Sequence, residues 1–337
     1  VSGFSLEQFM LRAWYKPSPW LKLLRPLSAL YAGVASRRRN AFLSDPSKAW
    51  TAPVPVIVVG NITLGGTGKT PMCIWLIDYL KARGLRPGVI SRGYGASRAG
   101  GFPHLVAPLL DQPGEVGDEP LLIARRCKVP VVIDPDRPAA ARHLLANAEV
   151  DVIISDDGLQ HYPLGRDVEI LMIDASRGLG NARCLPEGPL REPAQRLDSV
   201  DLVVSNGLAA DAPGAFAMTL LPTAFVNLCT GERVTPAQWQ GSPDVEAIAG
   251  IGNPQRFFRT LEGLSLRPTG HAFADHAAFG LDSFAVCDPA KPLIMTEKDA
   301  IKCAGFAQAN WWYLSIDASL GDAFVSALQQ RLDSRQR

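Results

Sequence analysis

The run Gly60-Asn61-Ile62-Thr63-Leu64-Gly65-Gly66-Thr67-Gly68-Lys69-Thr70-Pro71 decides the fold. An apolar, β-branched stretch at 54–59 precedes it and a helical pattern at 71–83 follows it, so a glycine-rich turn joins a buried strand to a helix. In such a turn, glycines let successive backbone N–H groups face phosphate oxygens. Lys69 adds a point charge for the β and γ phosphates, and the Thr70 hydroxyl can ligate Mg²⁺. Thr63, Leu64, Gly65, Gly66, Thr67, Gly68, Lys69 and Thr70 are therefore the expected nucleotide-binding loop, with Pro71 suited to the first helical turn. The general pattern G-x-x-x-x-G-K-[ST] has Gly where Thr63 stands.

Outward from the loop, short apolar runs at 54–59, 89–91, 129–133, 150–155, 169–173 and 201–205 alternate with helical stretches such as 71–83 and 137–147. Strands this apolar are covered on both faces, and the alternation implies parallel βαβ units. The expected class is a P-loop NTPase-like, doubly wound α/β sheet, mostly parallel, with a second, smaller α/β domain and an N-terminal amphipathic helical segment. Two short apolar runs flank Leu221-Pro222-Thr223, which reads as a hairpin and linker; a second series follows with strands at 245–250 and 292–296 and a helix near 254–261. The expected division is an N-terminal helical segment at 1–50, a P-loop core domain at 51–216, a hairpin-like linker at 217–231 and a smaller α/β domain at 232–337, closing over the site.

The N-terminal segment is distinct in charge. Residues 1–50 hold eight Lys or Arg (Arg12, Lys16, Lys22, Arg25, Arg37, Arg38, Arg39, Lys48) against Glu7 and Asp45, a balance of +6 in a chain whose net charge is +1. Ser5-Leu6-Glu7-Gln8 reads as a capping box, followed by Leu6, Phe9, Met10, Ala13 and Trp14 on one helical face. Beyond Pro17 and Pro19, a second stripe runs through Trp20, Leu21, Leu23, Leu24, Leu27, Leu30 and Tyr31. Apolar and aromatic residues beside basic ones suit an interfacial membrane helix; packing against the protein's own core is the other reading. No uninterrupted apolar run reaches the length of a membrane span, and the N-terminus lacks a signal-peptide pattern. Six scattered cysteines without paired spacing point to free thiols in a reducing compartment rather than to a disulfide or zinc framework.

Several further groups are placed for chemistry. The run at 150–155 delivers Asp156 and Asp157 to the end of a strand, where a carboxylate can hold Mg²⁺ directly or through water; two turn aspartates are the alternative. Gln160 and His161 follow closely. Asp118 and Glu119 open a helix after Gly117, and spacing alone leaves them as a favourable helix start or a catalytic pair. His276 is equally open. Arg92 and Tyr94 in Arg92-Gly93-Tyr94-Gly95, and Arg191 and Glu192 in Gly188-Pro189-Leu190-Arg191-Glu192-Pro193, lie in loops suited to an anion. Thr296-Glu297-Lys298-Asp299 invites comparison with a guanine-reading element, but its Lys is one place out of register, which favours ATP.

Together, the phosphate loop with its Thr63, Ser91-Arg92-Gly93-Tyr94-Gly95, Gly117-Asp118-Glu119-Pro120, Asp156-Asp157-Gly158-Leu159-Gln160-His161, Gly188–Pro193 and Thr296–Asp299 resemble the tetraacyldisaccharide 4′-kinase family, in the same order along nearly the whole chain. The resemblance implies transfer of the ATP γ-phosphoryl group to the 4′-hydroxyl of a tetraacylated glucosamine disaccharide 1-phosphate, at the cytoplasmic face of a bacterial inner membrane. It implies Lys69 and Thr70 on phosphate and Mg²⁺, and Asp118 with His276 as a catalytic pair near the acceptor hydroxyl. Glu119, Asp156 and Asp157 fall in the metal region; Arg92, Tyr94, Gln160, His161, Arg191 and Glu192 fall in the active site without an assigned role. The expected partners are the acylated lipid and an anionic membrane surface, with neither nucleic acid nor an obligate protein partner. A membrane-recruited ATPase switch without a phosphoryl acceptor is the alternative.

Overall fold

Every residue of the strand Val56–Gly60 is buried, and its side chains divide between two cores. Ile57 and Val59 join one apolar cluster, whereas Val56 and Val58 join another on the opposite face. A strand covered on both faces belongs in the middle of a sheet with helices above and below it.

The computed structural model describes residues 6–207 and 214–335. Its first half comprises α1 (Leu6–Trp14), α2 (Arg25–Leu43), β1 (Val56–Gly60), α3 (Lys69–Ala82), β2 (Pro87–Ser91), β3 (His104–Leu105), α4 (Pro113–Val116), α5 (Asp118–Cys127), β4 (Val131–Ile133), α6 (Arg137–Asn147), β5 (Val152–Asp156), β6 (Val168–Asp174) and β7 (Leu202–Asn206). The second half comprises β8 (Phe216–Asn227), β9 (Arg233–Val234), β10 (Asp244–Ala249), α7 (Pro254–Gly263), β11 (Arg267–Ala272), β12 (Leu293–Thr296), α8 (Glu297–Cys303), β13 (Trp311–Leu320) and α9 (Asp322–Arg335).

One 13-stranded sheet runs through both halves in the order β11-β10-β12-β13-β8-β7-β6-β1-β5-β2-β4-β3, with β9 paired to β8. The neighbours from β4 to β8 are parallel, and so are β11, β10, β12 and β13. The two series meet at one antiparallel seam, β8 against β13. The doubly wound reading therefore holds. On one face lie Met72, Leu76, Ile77 and Leu80 of α3, Leu121 and Ile123 of α5, and Phe324 and Leu328 of α9; on the other lie Ala140, Ala141 and Leu144 of α6.

The segment expected to turn at Leu221-Pro222-Thr223 is instead one 12-residue strand. Its partner β13 pairs along its length, and the register shift between Ser315 and Ile316 falls beside Pro222. Proline lacks the N–H that a regular ladder needs, and such an irregularity accommodates it without ending the strand.

At the N-terminus α1 is followed by a 3₁₀ turn (Pro19–Leu24) and then α2, which includes Arg37, Arg38 and Arg39. The expected cap at Ser5 lies outside the described residues. One face of this segment packs on the protein's own core, and the other is left exposed. Ala13, Trp14 and Leu21 are buried with Leu64 and Leu185, while Leu23, Leu27, Leu30 and Val34 are 81%, 57%, 67% and 59% exposed. Among the described residues, no helix is long and apolar enough to cross a membrane.

Candidate active site

The phosphate loop sits at the carboxyl end of β1, where parallel strands leave a crevice. Gly68 has φ +90°, and a Cβ there would stand 2.4 Å from the Asn206 amide nitrogen, so only glycine fits. Asn206 Nδ2 donates to the Thr67 carbonyl at 3.2 Å, tying the loop to β7. Asn61 braces its other end, donating to the Gly65 carbonyl at 3.3 Å and accepting from Lys69 Nζ at 3.4 Å. Thr63 is buried, and its backbone bridges to that of Leu190.

Asp156 is the last residue of β5 and is 2% exposed. Ser91 Oγ donates to it at 3.2 Å, and the Cys73 thiol lies 3.7 Å away. Burial raises its pKa, and the nearby carboxylates of Glu119 and Asp157 raise it further, against Lys69 and Arg137. Asp157 has φ +48° and meets Lys69 at 3.5 Å and Arg191 at 3.1 Å. Burial opposes its charge, but these two cations hold its carboxyl well below the usual range. Gln160 Nε2 donates to the Asn61 carbonyl at 3.1 Å and to Glu192 at 3.0 Å; Glu192 also accepts from the Tyr162 hydroxyl.

A second cluster gathers at the start of α5. Gly117, at φ +89°, packs against the Tyr94 carbonyl, which brings the Arg92–Gly95 loop beside Asp118. His276 Nδ1 lies 3.1 Å from Asp118 Oδ1, and the Tyr94 and His276 rings have centroids 5.0 Å apart. Lys298 Nζ donates to Glu119 and Asp275 at 3.0 Å each and stands 3.8 Å from Asp118 Oδ2; Lys302 Nζ stands 3.6 Å from the same oxygen. Asp118 is 5% exposed, and burial alone would raise its pKa. The hydrogen bond with His276 and the charges of Lys298, His276 and Lys302 outweigh burial and bring it to about 2. That same hydrogen bond raises the His276 pKa, against burial and Lys298. Asp118 Oδ2 is buried and accepts no hydrogen bond within the protein.

The phosphate loop from Gly66 to Thr70 and part of the second cluster, Glu119, Asp275 and Lys298, line one cavity of about 510 Å³ together with Ile251-Gly252-Asn253. Here the two halves of the sheet nearly touch: a Cβ on Gly252 would lie 2.8 Å from the Gly66 nitrogen. Arg177 also reaches the loop, donating to the Gly66 carbonyl.

Of the residues singled out from sequence, Lys69, Asp157 and Arg191 are joined in one chain of ion pairs, Gln160 and Glu192 in another contact, and Asp118, Tyr94 and His276 in a third. Thr70 lines the cavity. Among the described residues, the His161 and Arg92 side chains make no hydrogen bond or ion pair with these groups, yet burial, with the Arg137 and Arg92 charges, lowers the His161 pKa to about 4. Sequence reading missed Asn61, Arg137, Asp275, Lys298 and Lys302 as site residues. Arg137 is 1% exposed and donates to the Asp156 carbonyl at 2.9 Å, yet in sequence it is only the first residue of a helix. Lys298 lay within a quoted block but was set aside with the guanine reading; its place in α8 packed on α5 makes it a clamp for carboxylates instead.

The donor set suits a divalent cation: Thr70 supplies a hydroxyl, and the Glu119 and Asp157 carboxylates add to the cost that burial puts on ionising Asp156, which an added positive charge would relieve.

Comparison with known proteins adds an independent line. The sequence pattern of a family described as Tetraacyldisaccharide-1-P 4′-kinase matches residues 20–333. Among curated relatives, the tetraacyldisaccharide 4′-kinase of Pseudomonas aeruginosa strain LESB58 is 55% identical over 329 residues, covering 98% of each chain. That of Azotobacter vinelandii is 54% identical over 335 residues, covering 98% of this chain and 99% of its own. A crystal structure of LpxK from Aquifex aeolicus in complex with ATP superposes with a TM-score of 0.76 at 27% identity, covering 93% of this chain and 99% of that one.

Proposed function

The chain belongs to the tetraacyldisaccharide 4′-kinase family, and from that premise we propose that its cleft transfers the ATP γ-phosphoryl group to the 4′-hydroxyl of a tetraacylated glucosamine disaccharide 1-phosphate. The observation that carries this reading is the convergence of two chemistries on one cavity: a phosphate cradle on one wall and the cluster of Asp118, His276 and Lys298 beside the other.

Phosphoryl transfer passes through a loose transition state, so positioning and charge neutralisation do most of the work. The loop N–H groups and Lys69 hold the phosphates. Thr70 with Asp156, Asp157 or Glu119 would hold Mg²⁺, which when bound neutralises charge on the phosphate oxygens. Asp118 takes the acceptor proton; among the described residues its Oδ2 accepts no hydrogen bond. A carboxyl with a pKa of about 2 is a weak base, and that suits a hydroxyl whose proton leaves late. His276 orients Asp118 through Oδ1, and the Lys298 and Lys302 ammoniums flank Oδ2. Tyr94, 65% exposed beside His276, presents a ring for the sugar to lie against.

An acylated acceptor stays in its bilayer, so the enzyme works at the cytoplasmic face of the membrane, held by the N-terminal segment. The exposed stripe Leu23, Leu27, Leu30 and Val34, beside Lys22 and Arg25, supports this. Residues 232–320 act as a smaller unit over the loop, with Gly252 beside Gly66, while α9 stays packed in the core of the first half through Phe324 and Leu328.

Transfer from γ-labelled ATP to the lipid acceptor, resolved by thin-layer chromatography, tests the reading. Label is expected in the lipid. Label appearing only in inorganic phosphate would reject the kinase reading and leave the ATPase switch.

A further inference from the structure

A second cavity, of about 580 Å³, lies between the N-terminal segment and the turn that follows β6. Five cations line it against one acid, Glu187. Glu187 is already neutralised, because Arg25 donates to it through Nε at 3.2 Å and Nη2 at 3.0 Å. Arg177 is likewise committed, to Asp174 at 3.4 Å and to the Gly66 carbonyl. Lys16, Lys22 and Arg183 remain: exposed, on the wall of the cavity, and with no side-chain hydrogen bond or ion pair among the described residues. Three uncompensated cations around a concave site attract a compact anion.

The surroundings say which kind. Trp20, Leu23 and Leu27 flank Lys22 in sequence and are 39%, 81% and 57% exposed. An anion held by Lys22 therefore meets a segment that also carries exposed apolar side chains, the combination that suits a phosphate at a bilayer surface. None of Asp118, Tyr94, His276 or Lys298 lines this cavity, so it is separate from the acceptor cluster.

We propose that this cavity seats the phosphate of an anionic bilayer phospholipid, a lipid distinct from the acceptor, between Lys16, Lys22 and Arg183. The inference rests on the membrane reading above and gives it a specific contact. Because Arg177 belongs both to this cavity wall and to the phosphate loop, a lipid seated here sets the height of the catalytic cleft above the membrane.

The test titrates the full chain with dihexanoyl phosphatidic acid below its micelle concentration, with dihexanoyl phosphatidylcholine, and with inorganic phosphate, each followed by calorimetry. Saturable binding of the phosphatidic acid is expected, weakened at least about tenfold in the Lys16→Gln/Lys22→Gln/Arg183→Gln variant. The Arg37→Gln/Arg38→Gln/Arg39→Gln variant removes the same charge elsewhere and should bind like the parent. Equal loss in both variants means diffuse attraction and overturns the proposal, as does inorganic phosphate or phosphatidylcholine binding as tightly as the acid. ATP affinity reports that each variant is folded. In neutral detergent, the acceptor KM of the first variant should be unchanged; a rise would reassign the cavity to the acceptor and overturn the proposal. Failure of the parent to bind anionic vesicles would instead count against the membrane reading, while the short-chain titration still decides the cavity.

Discussion

His276 Nδ1 stands 3.1 Å from Asp118 Oδ1 although 158 positions separate the two residues in the chain. Each residue shifts the other: the contact holds the carboxyl near 2 and raises the imidazole. Asp118→Asn should lower kcat at least about a hundredfold, the low end for loss of a general base, with ATP affinity nearly intact. In the same variant the His276 pKa should fall, since its largest raising influence is gone and Lys298 still opposes its charge. Histidine resonances followed by NMR from pH 5 to pH 9 measure this; an unmoved His276 would break the coupling.

Lys298 is the charge that three carboxylates share. Burial works against its ammonium, but Glu119, Asp118 and Asp275 hold its pKa well above the usual range. Lys298→Met should let the Asp118 pKa rise from about 2 through its ordinary carboxylate value, because burial then acts with less opposition. A base with a raised pKa is protonated at higher pH, so the acid limb of kcat/KM should move upward. Lys298→Arg keeps the charge and should keep most of the limb in place. A profile unchanged in Lys298→Met would remove this residue from the network.

The stripe on the Pro19–Leu24 turn and α2 predicts membrane binding that can be separated from folding. Leu23, Leu27 and Leu30 are mostly exposed, so changing all three to Asp removes little from the core. Burying each leucine in a bilayer contributes about 1.5–3 kcal/mol at full insertion, so vesicle partitioning should drop at least about a hundredfold. The thermal midpoint should stay near that of the parent. Retention on vesicles in flotation assays would show that another surface carries the contact.

His161 predicts an acid-side loss of stability. Its pKa is lowered to about 4 by burial and by the charges of Arg137 and Arg92, against an ordinary value of 6.5. The unfolded chain therefore binds more protons between those values, so the contribution is fully present above about pH 6.5 and is lost as pH falls through about 4. His161→Asn should flatten the dependence of the denaturation midpoint across that window. An equally steep dependence in the variant would assign the loss to other groups.

What the chain carries locally was enough for the catalytic loop and for the class of fold. Successive glycines before Lys69 and Thr70, set between a β-branched run and a helical one, specify strand, turn and helix through near-neighbour rules alone. The strands β1, β5, β6 and β7 follow for the same reason, since residues buried on both faces leave unbroken apolar runs. The tertiary structure alone decided what meets across the sheet. Only pairing along β13 makes β8 one strand through Pro222, and only the stacking of α8 on α5 turns Lys298 from an out-of-register motif residue into the partner of Asp118 and Glu119. Asp118 and His276 were chemically suggestive in sequence, but a proton shared over 3.1 Å depends on long-range packing, which no local pattern encodes.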